Sequence, residues 1–262
     1  MAMCSGMGAM LKRRHLGRHL RRLRLDSGMT VNAILRAKIM GKSKLYAIES
    51  GKQPDLSWPE IQELARLYGA PEDLTAELVR MARESLEPGW WEPFSTIMVK
   101  DFALLLELEQ ASDRIFIYAS ELVPGWFQER EYMENIDGIT SEAIELRELR
   151  QVKFWERDPG PEIIVVINEA VLRRGMTPGQ LERLRLDAER PNVDIRVLPF
   201  GAGLHASMDS SYMIMDFPDG DDPDVVYLEA RDGCRYEEAP ATVAHFRRTF
   251  SVTRQPATSL EE

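Results

Sequence analysis

The feature that most constrains this chain is a change of hydrophobic period at "EPGWWEPF", residues 87–94. Before it, apolar residues recur at three- and four-residue steps: Leu16, Leu20 and Leu23, then Leu45 and Ile48, then Ile61, Leu64 and Leu67, then Leu74, Leu78 and Met81. That spacing puts each set on one helix face. After it come short β-branched and aromatic runs, "RIFIYA", "EIIVVI", "VDIRVLPF", "SYMIMDF" and "VVYLEA", bounded by Gly, Pro, Asn or Asp and separated by helical stretches. Trp90 and Trp91 are expected to pack this junction. The predicted architecture is an all-α N-terminal domain of about five helices followed by a larger α+β domain. The expected boundaries are a disordered leader over 1–11, the helical domain over 12–86, the α+β domain over 87–252 and a disordered tail over 253–262. A chain of 262 residues with 44% apolar content can bury the cores this requires.

Local signals sharpen the helical part. Ser27-Gly28 stops the first helix and Thr30 caps a second starting at Val31. A third is expected over 42–50, with Leu45 and Ile48 inward and Gly51 as the left-handed residue beyond its end. "SWPE", residues 57–60, predicts Ser57 as N-cap with Glu60 closing a capping box, and this fourth helix stops at Gly69. A fifth begins near Pro71. Further on, helices are expected over 141–155, over 178–189 with Thr177 as cap and Gln180 completing a box, and over 240–252.

Charge is segregated. Residues 1–52 hold twelve Lys or Arg against two acids, Asp26 and Glu49, in a chain whose formal net charge is -10. The front therefore attracts polyanions and the remainder, with an excess of acids, repels them. No run approaches the roughly 18 apolar residues of a membrane-crossing helix. Two cysteines, Cys4 and Cys234, make no disulfide framework. Together these predict a reduced, soluble, cytoplasmic protein.

On these residues the chain acquires a resemblance. "LGRHLRRLRLDSGMT" followed by "KSKLYAIESGKQPDLSWPEIQELARLYG" resembles the Cro/CI-type (XRE) helix-turn-helix domain, most specifically at Lys44-Leu45-Tyr46-Ala47-Ile48-Glu49-Ser50-Gly51, the end of a recognition helix. The resemblance implies DNA binding. Lys42, Ser43, Lys44 and Tyr46 then face base edges in the major groove, and Arg18, Arg21, Arg24 and Lys52 contact phosphate. The family's usual mid-helix Ala and its Leu-Gly turn fall, without gaps, on Leu35, Lys38 and Ile39, which would force a β-branched residue to positive φ. Shifted by two residues they fall on Ala37, Met40 and Gly41, with a shorter turn. Beyond residue 90, "LVPGWFQEREY", "VLRR", "RPNVDIRVLPFGAGLHASM" and "FPDGDDPDVVYLEA" resemble the C-terminal domain of actinobacterial antitoxin-like regulators, with Val123-Pro124-Gly125-Trp126-Phe127-Gln128-Glu129 where that family usually has Val-Pro-Gly-Leu-Leu-Gln-Thr.

The implied partners are double-stranded operator DNA, a second copy of the chain, and either a small-molecule effector or a small cognate protein; no membrane partner and no cofactor are expected. In the alternative reading the chain is chiefly an antitoxin-like protein-interaction module. An effector pocket would draw on His205, Trp126 and Phe127. His15 and His19 share a helix face but sit among six arginines, which repel a metal cation. Asp216, Asp219, Asp221, Asp222 and Asp224 crowd one loop without the ligand alternation of a calcium loop, and "PDG" within it reads as a hairpin connection. No nucleophile elbow, phosphate loop or dinucleotide fingerprint is present, so no enzyme is expected.

Overall fold

The computed structural model describes residues 8–99, 101–218, 223–230 and 233–260. The chain divides between Glu92 and Pro93 into two compact units, six residues beyond the expected boundary. The first unit is all-α: α1 (Ala9–Asp26), α2 (Val31–Arg36), α3 (Lys42–Glu49), α4 (Trp58–Leu67) and α5 (Glu72–Glu84). Its core joins Leu16 and Leu20 of α1, Ile34 of α2, Leu45 and Ile48 of α3, Ile61 and Leu64 of α4, and Leu78 and Met81 of α5. Except for Ile34, these are residues whose spacing predicted the helices.

Several local expectations are met and others corrected. Thr30 Oγ1 accepts from the Ala33 N–H at 3.3 Å, and Gly28, Gly51 and Gly69 take positive φ just past helix ends. Ser57 stands at the N-cap of α4 but makes no side-chain cap bond, and the Glu60 carboxylate does not close the box because it accepts from Lys44. The expected leader is shorter than 1–11: α1 begins at Ala9, and Leu11 is buried. Residues 1–7, with Cys4, lie outside the described residues.

The second unit opens with α6 (Phe102–Ala111) and is built on a mixed sheet of β1 (Arg114–Ala119), β2 (Glu162–Asn168), β3 (Val193–Leu198), β4 (Tyr212–Asp216), β5 (Val225–Ala230), β6 (Gly233–Glu237) and β7 (Thr258–Ser259). Between the strands lie α7 (Arg130–Glu134), α8 (Ser141–Trp155), α9 (Glu169–Arg173), α10 (Pro178–Ala188) and α11 (Pro240–Arg254). The strand order is β6-β5-β4-β1-β2-β3-β7. β1, β2 and β3 are parallel, and the outer pairings are antiparallel. The β4–β5 pair bears out the hairpin reading, although residues 219–222 of its connection, with Asp219, Asp221 and Asp222, lie outside the described residues.

Register sorts the side chains. Phe116, Tyr118, Ile164, Val166, Tyr212, Ile214 and Val226 point to one face, where Val243, Phe246 and Phe250 of α11 cover them. The opposite parity is equally apolar and buried, through Ile115, Ile117, Ile163, Val165, Ile167, Ile195, Met213 and Met215, as a sheet covered on both faces requires. The expected disordered tail is corrected. α11 runs to Arg254, Ala257 is buried, and Thr258 and Ser259 pair with Val197 and Arg196, giving the outer edge of β3 a hydrogen-bonding partner.

Candidate nucleic-acid interface

α3 is held from beneath by two close backbone approaches to α1. A Cβ at Gly17 would lie 2.3 Å from the Ile48 carbonyl oxygen, and one at Gly51 would lie 2.6 Å from the Arg14 Cα. Two glycines thus let α1 and α3 cross nearly backbone to backbone. Leu45 and Ile48 bury the inward side of α3. The outward side presents Lys42, Ser43 and Tyr46, all exposed, the Tyr46 ring by 48%. Lys42 Nζ sits 5.8 Å from the Tyr46 ring centroid, one helical turn away, so a cation and an aromatic are paired on the same face.

The turn before α3 resolves both alignments of the sequence. Residues 37–41 link α2 to α3, and the left-handed position is Lys38, with φ 58°. Neither Ile39 nor Gly41 carries it; Gly41 has φ -78° and serves as the N-cap of α3. An unbranched lysine tolerates this conformation better than a β-branched residue, at a cost of about 1–2 kcal/mol. Lys38 and the neighbouring Arg36 are exposed. They flank the start of α3, and the sequence reading did not select either as a contact; their basic character beside a helix N-terminus was the available signal.

Two of the expected DNA contacts are engaged elsewhere. Arg24 is a correction: it is buried, and its Nε and Nη2 donate to the Glu49 carboxylate at 2.6 and 2.8 Å, with side-chain exposures of 10% and 5%. That hydrogen bond raises the Arg24 pKa above its ordinary value. Burial, reinforced by the Glu49 charge, raises the nearby Tyr68 phenol. Arg24 and Glu49 therefore tie α1 to the end of α3, and the guanidinium is not presented to a duplex. Lys44 is half-buried, and its Nζ donates to both Glu60 oxygens, at 2.8 and 2.6 Å. Arg21 and Lys52 are exposed; Arg18 is half-buried on α1. His15 and His19, one turn apart on α1, bring their Nε2 atoms to 2.8 Å.

In the second unit the expected pocket residues are not brought together as a pocket. Trp126 and Phe127 are fully buried, and Trp126 stacks on Phe154 at 4.1 Å with planes 10° apart. Their loop is a buried turn whose carbonyls need donors. Gln180 Nε2 donates to the Phe127 carbonyl and Gln151 Nε2 to those of Gly125 and Gln128, each at 2.7–2.8 Å. Gln180 Oε1 accepts from the Glu129 N–H at 2.8 Å, so Gln180 secures this turn and does not close a capping box, while Thr177 caps α10 as expected. Trp126 Nε1 and Arg150 both donate to the buried Glu109. The "VPGWFQ" stretch is thus core architecture. His205 lies apart from it, beside Tyr118, with its Nδ1 accepting from the Ser207 N–H at 3.2 Å. Burial pushes its pKa down, which favours the neutral ring. Asp216 and Asp224 both accept from Arg247, a cation already supplied by the chain.

Comparison with known families gives two matches. A helix-turn-helix domain family matches residues 15–78, which run from within α1 to the middle of α5. A family described as a domain of unknown function, DUF5753, matches residues 102–262. No curated protein and no solved structure matches the chain. Among the described residues, no helix is long and apolar enough to cross a membrane.

Proposed function

The chain belongs to the DUF5753 family and carries a helix-turn-helix domain ahead of it, and from that premise we propose that it is a sequence-specific DNA-binding transcription regulator of the Cro/CI (XRE) type. The observation that carries the reading is the exposed face of α3, where Lys42, Ser43 and Tyr46 stand clear of the core at the start of a rigidly seated helix. Such a helix enters the major groove with its N-terminal residues at the base edges. Arg36, Lys38, Arg21 and Lys52 are exposed cations suited to phosphate. Lys44 joins the base contacts only after leaving Glu60. The second unit dimerises the protein or senses a signal, and a dimer would set two copies of α3 about one DNA turn apart on a palindromic site. The reading assigns no catalysis and no cofactor.

The test is fluorescence anisotropy with the duplex upstream of the protein's own gene, against a scrambled duplex, at two salt concentrations. Selective binding that weakens with salt is expected. Lys52→Ala should reduce the slope of log K against log salt by about 0.9, whereas Lys42→Ala combined with Tyr46→Ala should abolish selectivity. Glu60→Gln should tighten binding by releasing Lys44. Equal binding of both duplexes at both salts, unchanged by these variants, would sink the reading.

A second reading, an antitoxin-like module for a small cognate protein, draws support from the loop after β3. There Phe200, Leu204 and Met208 are exposed apolar side chains, Leu204 by 91%, and exposed apolar clusters mark interaction sites. Stoichiometric co-purification with a neighbouring-gene product, lost in Leu204→Ser, would favour it.

A further inference from the structure

α11 covers its face of the sheet incompletely. Beside its C-terminal half lies an open cleft of about 440 Å³, within the range of small-molecule sites. Its floor is apolar: Phe116 of β1, Ile214 of β4 and Phe250 of α11, with Phe116 and Phe250 edge to face at 5.4 Å. Its rim holds three arginines, Arg196, Arg247 and Arg254.

The ion pairs around this cleft are unequally shared. On the β3 side, Arg196 and Arg254 share a single carboxylate: Arg196 Nε donates to both Asp194 oxygens at 3.2 Å, and Arg254 Nη2 donates to Asp194 Oδ2. Arg254 Nε is buried without an acceptor among the described residues. Two guanidiniums against one carboxylate leave one positive charge and several donors unmatched. On the β4 side the arithmetic reverses, because Arg247 alone serves Asp216 and Asp224. β1 and β2 lie between these sides, a separation of about 14 Å at three strand spacings. Here an apolar floor runs from a cationic end to an acidic one.

The β3 sequence marks the same feature. Asp194 and Arg196 face the side where the paired positions of β2, Ile164 and Val166, are buried. A strand lying wholly under a helix would be apolar there.

We propose that this cleft binds a small organic anion with a flat apolar body. Its anionic group is held by Arg196 and Arg254, and its body lies against Phe116 and the edge of Phe250, above the fully buried Ile214. Guanidiniums take planar anions through paired N–H donors, and the floor rewards a hydrocarbon ring over a free inorganic ion. The inference stands apart from the DNA-binding reading and needs no DNA in its test.

The experiment titrates the full chain with anilinonaphthalene sulfonate, an aromatic anion whose fluorescence rises in apolar sites. Competitors are benzoate, phenyl phosphate, benzamide (a neutral isostere) and inorganic phosphate (the anion without a body). Saturable binding is expected, displaced by benzoate or phenyl phosphate and left unchanged by benzamide and inorganic phosphate. Which of the two displaces better identifies the anionic group as carboxylate or phosphate. The double variant Arg196→Gln/Arg254→Gln should weaken the probe at least about tenfold, one charge-assisted hydrogen bond's worth. Both side chains are near 40% exposed (41% and 38%), so the variant should melt with the parent; if it melts early, Arg254→Lys keeps the charge, loses the fork and should still weaken binding. The proposal is overturned by no saturable signal up to about 1 mM probe, by displacement with benzamide as effective as with benzoate, or by affinity unchanged in a folded variant.

Discussion

Substituting Gly17 by alanine sets two effects of opposite sign against each other. By helix propensity alone, the change in the middle of α1 stabilises by about 1 kcal/mol. The new Cβ, however, would lie 2.3 Å from the Ile48 carbonyl oxygen and 3.0 Å from the Glu49 carbonyl carbon and oxygen. All three obstacles are backbone atoms of the facing helix end, and none can rotate aside. α1 and α3 must separate by about 1 Å to restore ordinary contact, and a gap of that size forfeits a quarter to a half of each dispersion contact across it. Leu16, Leu20, Leu45 and Ile48 share that seam, so the cost belongs at the upper end of the overpacking range, about 3 kcal/mol. The net expectation is a loss of about 2 kcal/mol. Hydrogen exchange of the full chain reads this locally: protection in peptides from α1 and α3 should fall about 30-fold, while peptides from the β-sheet keep theirs. Protection unchanged, or raised about fivefold as propensity alone demands, would refute the claim that this glycine exists for the crossing.

Three further outcomes are expected. Glu49→Ala strands the buried Arg24 guanidinium and should destabilise the first unit by about 3–5 kcal/mol in chemical denaturation, whereas Arg24→Met/Glu49→Leu should recover most of that loss; a double variant as unstable as the single would show that the ion pair is not what matters. Lys38→Gly relieves the left-handed strain before α3 and should stabilise by about 1 kcal/mol, raising the unit's melting temperature by about 4 °C or more; a lower melting temperature would count against the strain. The Phe200 N–H donates to the Glu169 carboxylate at 2.7 Å, and this bond, with the Arg173 pair, holds the Glu169 pKa below its ordinary value. A depressed carboxylate contributes stability that is complete above the unfolded pKa and is lost as pH falls through the folded one. Protection of the Phe200 amide, corrected for intrinsic exchange, should therefore drop below about pH 4, and Glu169→Gln should remove that pH dependence.

What the sequence made legible was local. Thr30 and Thr177 cap helices where a hydroxyl precedes an amphipathic run, Gly51 turns left-handed past α3, and five of the strands coincide with alternating or β-branched runs. What escaped depends on neighbours distant in the chain. β6, "GCRYE", has little apolar signal and becomes a strand because β5 offers an unpaired edge. β7 is two residues long and is defined by β3. α6 is buried along most of its length, Glu107 and Glu109 included, so it shows no amphipathic face to read. The site shows the same limit. Arg24 reads as one more cation on a basic helix until Glu49, 25 residues later, folds against it. Trp126 and Phe127 read equally as core, pocket or interface until Gln151 and Gln180 arrive to satisfy their loop.

The strand order also sets a schedule. All the residues of the first core lie before Glu92, so that unit can close while the rest of the chain is still being synthesised. The sheet cannot. Its central strand β1 pairs with β2 and β4, and the outer edge of β3 is completed only by Thr258 and Ser259. At ordinary elongation rates the remaining stretch takes roughly 10–30 s to emerge. For that interval a folded, positively charged head is tethered to an unfinished, acidic sheet with open edges. Slow, non-local pairing of this kind exposes aggregation-prone edges during assembly, and the yield of the protein in cells should depend on the pairing of Thr258 and Ser259 with β3 more than on its helical head.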